Sequence, residues 1–344
     1  MKQAHEKNRS VILMTSCFAI LIVSLAAMFL VNLGLGSTDI TFSEIADILT
    51  GKIDSTDTSY LIIQRIRLPR LLASFAGGAA LAIAGLLMQS YFANPIVEPY
   101  ILGVASGSSM FVGLVMLGGY TFGISHMTPF ALFSGAFIGA MVVMLIILLA
   151  AARVKSVVSL LIIGLMAGYA CSGVTSILSA FADREQLAAF SMWNMGSFAG
   201  FTWQHIRIMY LIIIPMLILA FLLAKPLDVL SMGDRYAKSM GINTKMTRYA
   251  LILMSSTLTA AVTAFAGPVS FIGLAVPHIC RIAFRTARNR ILIPAAILGG
   301  AVMASLCDFA ARYIISPLEL PLGAVTALIG TPIVVFLMMR KEKL

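Results

Sequence analysis

Asp308 and Arg312 stand four residues apart, one helical turn, and are an acid and a base close enough to touch. Inside a membrane such a pair serves a proton or ion relay, or equally a purely structural ion pair. Asp308 is the one carboxylate within a long apolar run, whereas a carrier driven by protons or sodium needs several ionisable groups at that depth. His278 directly follows Pro277 and reads as a loop cap rather than a catalyst. The chain has no paired carboxylates, no histidine cluster, and no Ser or Cys with a base at helical spacing, so an intramembrane enzyme has no candidate residues. It also lacks Gly-x-x-x-x-Gly-Lys-[Ser/Thr], so any ATP hydrolysis must come from another chain. The near miss Gly34-Leu35-Gly36-Ser37-Thr38-Asp39 lacks the third glycine of a dinucleotide loop and reads as a helix terminus. Cys17, Cys171, Cys280 and Cys307 are scattered, which suits small packing residues and neither a metal site nor a disulfide framework. No cofactor and no metal are implied.

Composition sets the elements that position these residues. Apolar residues make up 60% of the 344 and charged residues only 11%, against about 25% charged in soluble proteins. This is an all-α, polytopic membrane protein. At about 20 residues per crossing the length holds roughly ten spans with short loops, a single transmembrane domain over residues 1–344 and no soluble domain. The net charge of +10 gathers at the ends of apolar runs, where membrane orientation accounts for it and nucleic-acid binding is not needed.

The apolar run 11–35 is too long for a signal peptide and predicts a first span with the amino terminus inside. Residues 36–66 are then external, with a short amphipathic helix over 42–49 capped by Thr41 or Ser43. Further spans are predicted over 71–90, 101–117, 130–152, 158–180, 206–224, 249–266, 271–284 (interrupted at Pro277), 291–313 and 322–339. The segment 190–203, with Trp193 and Trp203, reads as an interfacial piece. Both termini are inside, and most of the 24 Lys/Arg lie on that side, including Arg153 with Lys155 and the 340–343 tail. Gly135-x-x-x-Gly139 and Gly164-x-x-x-Gly168 let helices approach closely. An early stretch (85–99) and a late one (267–277) echo each other as alanine-rich helices that run into Gly/Pro breaks, a pattern of repeated transporter halves.

Two places stand out from this plan. Arg67-Leu68-Pro69-Arg70, with Arg65, falls outside, against the positive-inside rule, so those arginines need a reason of their own. Within the longest cytoplasmic segment, about 225–248, residues from Ser231–Asp234 to Gly241 predict a short helix with Met232, Tyr236 and Met240 on one face. That face fits a groove on a partner, or the membrane surface.

These residues resemble the FecCD-type permeases, the membrane subunits of ATP-driven importers for iron-siderophore complexes, haem and cobalamin. The match runs through Arg67-Leu-Pro-Arg70, Gly85 to Gln89, Asn94-Pro95, Glu98-Pro99, Leu102-Gly103-Val104 and Ser106-Gly107. It continues through Gly233 to Gly241, Gly267-Pro268, Phe271-Ile-Gly-Leu, Val276-Pro-His278, Arg281, Asp308 to Arg312 and Glu319-Leu-Pro-Leu-Gly323 with Thr326, Gly330 and Pro332.

The resemblance implies ten helices per subunit and a bacterial cell membrane location. It also implies a dimer, with an identical or related second permease subunit around a central pathway, and contact with membrane lipid. Two cytoplasmic ATP-binding subunits and an extracytoplasmic substrate-binding protein complete the assembly. It places Arg67, Arg70 and Arg312 opposite acidic residues of the binding protein, and the loop of Gly233, Asp234, Ala237, Met240 and Gly241 inside the ATPase. The family's inner gate falls on Ser156-Val157-Val158-Ser159, more apolar here than the small hydroxyl residues that can occupy it. The expectation is a permease with no ATPase site of its own, moving an iron-siderophore complex, with haem or cobalamin as the alternative. A secondary carrier is the reading from a different class.

Overall fold

A computed structural model describes residues 2–36, 38, 40–54, 56–118, 129–154, 156–315 and 318–341. Lys155, the 342–343 end of the basic tail, and Ser37 and Asp39 of the Gly34-to-Asp39 stretch lie outside the described residues. So does the side chain of Val157.

The fold is helical. α1 (Lys2–Gly34) is followed by α2 (Phe42–Leu49), where Thr41 and Glu44 close a reciprocal capping box, and by α3 (Thr58–Leu61). A π-helical turn (Ile62–Arg67) leads straight into α4 (Leu68–Phe92). Then come α5 (Val104–Met116), α6 (Pro129–Arg153), α7 (Val157–Phe181), α8 (Arg184–Asn194), α9 (Trp203–Leu222), α10 (Ala224–Leu230) and α11 (Asp234–Ser239). The chain continues with α12 (Thr244–Ala266), α13 (Ile272–Phe284), α14 (Asn289–Tyr313) and α15 (Leu322–Lys341). Among the described residues seven helical stretches are long and apolar enough to cross a bilayer, and α5, α13 and the 322–336 part of α15 are shorter apolar helices. Seven and three match the ten spans expected.

α4 is the axis of the bundle. It is packed by α9, α12, α13 and α14, and nearly every residue from Pro69 to Phe92 is buried. Its run of Gly and Ala is the cause, because small side chains let neighbouring backbones approach. A Cβ on Gly85 would sit 1.9 Å from the Gly273 carbonyl of α13, so only glycine fits that crossing. The Gly139 and Gly164/Gly168 spacings do the same work, meeting Gly107 and the Leu102–Gly103 turn.

Three expectations need correction. The predicted span at 101–117 begins with a 3-10 turn, Pro99–Leu102, and Gly103 at φ 76° separates that turn from α5. The segment expected as an interfacial piece, 190–203, holds the end of helix α8, which starts at Arg184, and an irregular link to α9, so the element's bounds move while its place at the membrane surface remains an expectation. And α13 runs through Pro277 without interruption. Proline has no N–H for the carbonyl four residues back, which is Gly273. That carbonyl is taken by Gln89 Nε2 of α4 at 3.2 Å, and Leu274 O by the same group at 3.3 Å. Arg281 Nη1 donates to Gln89 Oε1 at 2.7 Å and fixes the amide's orientation. A neighbouring helix thus supplies the donor that proline removed.

The early and late breaks also meet. Phe271 N, just ahead of α13, donates to the buried carboxylate of Glu98, just ahead of α5, at 3.2 Å. α5 and α13 have 13 residues each, about 20 Å of helix, so both begin from irregular backbone packed inside the bundle.

Candidate functional site

Two polar constellations lie at opposite ends of α4, separated by about 30 Å along the helix. The first gathers the three arginines singled out in the sequence. α1 ends at Gly34, and its last carbonyls have no intrahelical partner. Arg67 fills that need: Nη1 donates to Leu33 O at 2.5 Å and to Gly34 O at 3.1 Å, and Nη2 to the Thr38 carbonyl and hydroxyl. A cation at a helix carboxyl end also complements the helix dipole. Gly36 leaves the room, since a Cβ there would lie 2.6 Å from Arg67 Nη2.

Arg70, one turn along, faces inward. Its Nε reaches both oxygens of Asp308 at 3.1 and 3.0 Å, while Nη1 and Nη2 form a fork on Glu319 at 2.8 and 3.1 Å. Arg312 lies farther from Asp308, at 3.6 Å, with Nη2 donating to Asn32 Oδ1 of α1 at 2.5 Å and its guanidinium over the Phe309 ring. Asp308 is therefore chiefly the partner of Arg70, 238 residues away, rather than of the residue one turn on. Glu319 is half exposed, and the Arg70 guanidinium hydrogen-bonded to it holds its carboxyl below the usual range. Three guanidiniums against two carboxylates leave the cluster one positive charge in excess, and Arg67, Arg70, Arg312 and Glu319 line a recess of about 350 Å³ beside it.

Sequence reasoning pictured these arginines as open charges. Arg67 and Arg70 are only 5% and 7% exposed, because the end of α1, Asp308 and Glu319 already engage them. Arg312 is partly exposed and Arg65 is exposed, so the accessible positive charge sits on those two and on the rim of the recess. Glu319 and Asn32 were missed as members. Glu319 stood in the Glu-Leu-Pro-Leu-Gly stretch as a lone carboxylate near a predicted helix start, but nothing local names Arg70 as its partner.

The second constellation is at the other end. Gly233 (φ 108°) and Gly241 (φ 79°) bracket α11 in backbone conformations that glycine adopts at no steric cost. Ala237 is fully buried and anchors the short helix, and Asp234 Oδ1 accepts from Arg248 Nη2 at 2.9 Å. Met232, Tyr236 and Met240 are 68%, 48% and 59% exposed, so the expected apolar face is free of the bundle. Ser156 caps α7, its Oγ accepting from Ser159 N at 3.3 Å, and Val158 is exposed. A cleft brings Ser156 to the same space as Asp234, joining the residues expected to gate to those expected to couple. Among the described residues no His/Cys/Asp/Glu cluster could hold a metal.

The FecCD transport family model matches residues 21–340. The chain is 33% identical to the hemin transport system permease HmuU of Yersinia pestis, covering 94% of this chain and 96% of that one. It is 35% identical to the vitamin B12 import system permease BtuC of Salmonella typhi, covering 82% and 85%. A solved structure described as an inward-facing metal-chelate type ABC transporter superposes with a TM-score of 0.83 at 28% identity, covering 95% of this chain and 99% of that one. The chain belongs to the FecCD transport family and is a multi-pass membrane permease of the ABC importer type.

Proposed function

We propose that the chain is the membrane subunit of an ATP-driven importer whose cargo is a metal chelate, an iron-siderophore complex first of all. The observation that carries the ATP-driven part is Asp308. It is the only carboxylate in the ten apolar helices among the described residues, and it is locked onto Arg70 at 3.0 Å, while the buried carboxylate of Glu98, between helices, is tied to the Phe271 amide at 3.2 Å. A proton- or sodium-coupled carrier would need such a group free to titrate or to bind the ion. Energy then comes from partner ATP-binding subunits, two of them with two copies of the permease, or with one copy and a related chain.

In this reading the Arg70 end faces outward and both termini lie inside, in the bacterial cell membrane. An extracytoplasmic binding protein docks on the net positive charge that Arg67, Arg70 and Arg312 leave around the recess, meeting it at the more accessible Arg65 and Arg312, and a carboxylate of that protein competes with half-exposed Glu319 for the Arg70 fork. Such pairs act together to steer and register the docking more than to tighten it. At the other end α11 seats its Met232, Tyr236 and Met240 face in the ATPase, and the start of α7, Ser156 to Ser159, closes the pathway. The whole chain works as one transmembrane domain, with 225–248 as the coupling loop. Haem or cobalamin is the second reading, favoured by the hemin and vitamin B12 permeases to which the chain is similar.

Vesicles holding the permease with its ATPase subunits and binding protein, offered a ferric siderophore, hemin or cobalamin in parallel, test the cargo. Accumulation of the ferric siderophore alone is expected; accumulation of hemin or cobalamin alone moves the assignment to that ligand. Charge reversal at exposed Arg65 should weaken binding-protein capture at low salt without lowering the melting temperature, and Arg312→Gln should weaken it further when compared at equal amounts of folded permease, because Arg312 also bonds Asn32 and lies beside Asp308. Unchanged capture removes the docking assignment.

A further inference from the structure

The cleft at the Asp234 end carries more positive charge than the Asp234–Arg248 pair balances. It is a recess of about 480 Å³ whose polar wall sets Lys238, Lys245 and Arg248 against one carboxylate, Asp234, leaving two positive charges in excess. Arg248 is held in place by Asp234 and by the Tyr91 ring, 5.4 Å from its guanidinium carbon. Thr244 and Lys245 open α12, a helix of 23 residues, and line the same recess. Asn243 Oδ1 caps the Met246 amide, while the amides of Thr244 and Lys245 have no partner among the described residues. Three cations against one carboxylate, beside a helix amino terminus, together favour a compact oxyanion.

The other wall says what carries the anion. Ala152 and Val154, at the end of α6, line the cleft. Leu145 and Leu149 precede Ala152 at helical spacing on the same face and are 55% and 61% exposed. An apolar strip therefore runs along a membrane-spanning helix and ends at a basic recess, which is the arrangement of an acyl chain leading to its headgroup.

We propose that this cleft binds the phosphate headgroup of an anionic phospholipid, whose acyl chain lies along Leu145 and Leu149. The bound headgroup joins three separate elements, because α11, the start of α12 and Ser156 at the head of α7 all line the space it fills. The inference rests on the membrane placement of the chain and not on the identity of its cargo, so the uptake assays can fail without touching it.

Native mass spectrometry of the full chain, released from bilayers of phosphatidylglycerol or of phosphatidylcholine, tests it. Retention of phosphatidylglycerol about tenfold above phosphatidylcholine is expected, falling to the phosphatidylcholine level in Lys238→Gln/Lys245→Gln. Both lysines are exposed, so the melting temperature should hold. If the double variant melts early, the single variants carry the comparison, each losing part of the preference. Lys52→Gln, remote from the cleft, should keep the full preference. Equal retention of the two lipids by the unaltered chain overturns the proposal, as does a preference that survives removal of both lysines. Displacement of phosphatidylglycerol by inorganic phosphate would reassign the site to free phosphate; failure to displace it supports the lipid.

Discussion

The two ends of α4 solve the same problem, holding arginines near a membrane surface, in opposite ways. At one end Arg70 is buried and forked onto two carboxylates, and Arg67 is used up on the end of α1. At the other, Arg248 makes one ion pair with a half-exposed Asp234, and the neighbouring lysines are exposed. A buried, multiply bonded cation cannot move without leaving charge stranded, whereas a surface pair separates at little cost. The first end is built as a fixed platform and the second as a part that can shift.

The largest expected effect breaks the platform. Asp308→Ala strips a buried partner from Arg70 and should cost about 3–5 kcal/mol, read as a large fall in melting temperature in detergent. Asp234→Ala should cost at most about 1 kcal/mol. Similar losses at both ends would erase the distinction drawn between them.

Next comes the axis that joins the two ends. Gln89→Ala leaves the Gly273 carbonyl opposite Pro277 without a donor and frees Arg281, at about 1–3 kcal/mol. A melting temperature unchanged by that substitution would mean that α13 does not depend on α4 for its continuity.

Smaller still is the pH response of Glu319. Its folded-state carboxyl titrates below the ordinary range, so the native state binds fewer protons than the unfolded one as pH falls. The pair's contribution is present above the usual carboxylate pKa and is lost as pH drops through the depressed value. Melting temperature against pH should therefore show an acid limb that flattens in Glu319→Gln. An identical limb in that variant would assign the acid sensitivity elsewhere.

The smallest effect on stability is predicted for Met232, Tyr236 and Met240 changed together to Ser. The melting temperature should hold, while ATP hydrolysis by the assembled transporter no longer drives uptake. Coupling that survives would take α11 out of the transmission path.

Much of this architecture is legible in the residue order because apolar length and Gly/Ala spacing act locally. The capped helix at Phe42–Leu49, the glycines that bracket α11 and the exposed Met232 face all follow from neighbours in sequence. What was not legible depends on partners far apart. Arg67 looks like an exposed external charge until the carboxyl end of α1 is placed beside it. Asp308 pairs on paper with Arg312 four residues on, yet in the fold it belongs to Arg70. Pro277 predicts a break that Gln89, 184 residues away from Gly273, repairs. In each case a buried polar group was satisfied from another helix, which no local pattern encodes.

The most direct test of the account is uptake of a ferric siderophore by vesicles containing the permease, its ATPase subunits and its binding protein, with and without internal ATP and with and without an imposed proton or sodium gradient. Accumulation that requires ATP and ignores the gradient is predicted; accumulation by the permease alone, driven by the gradient, would contradict it.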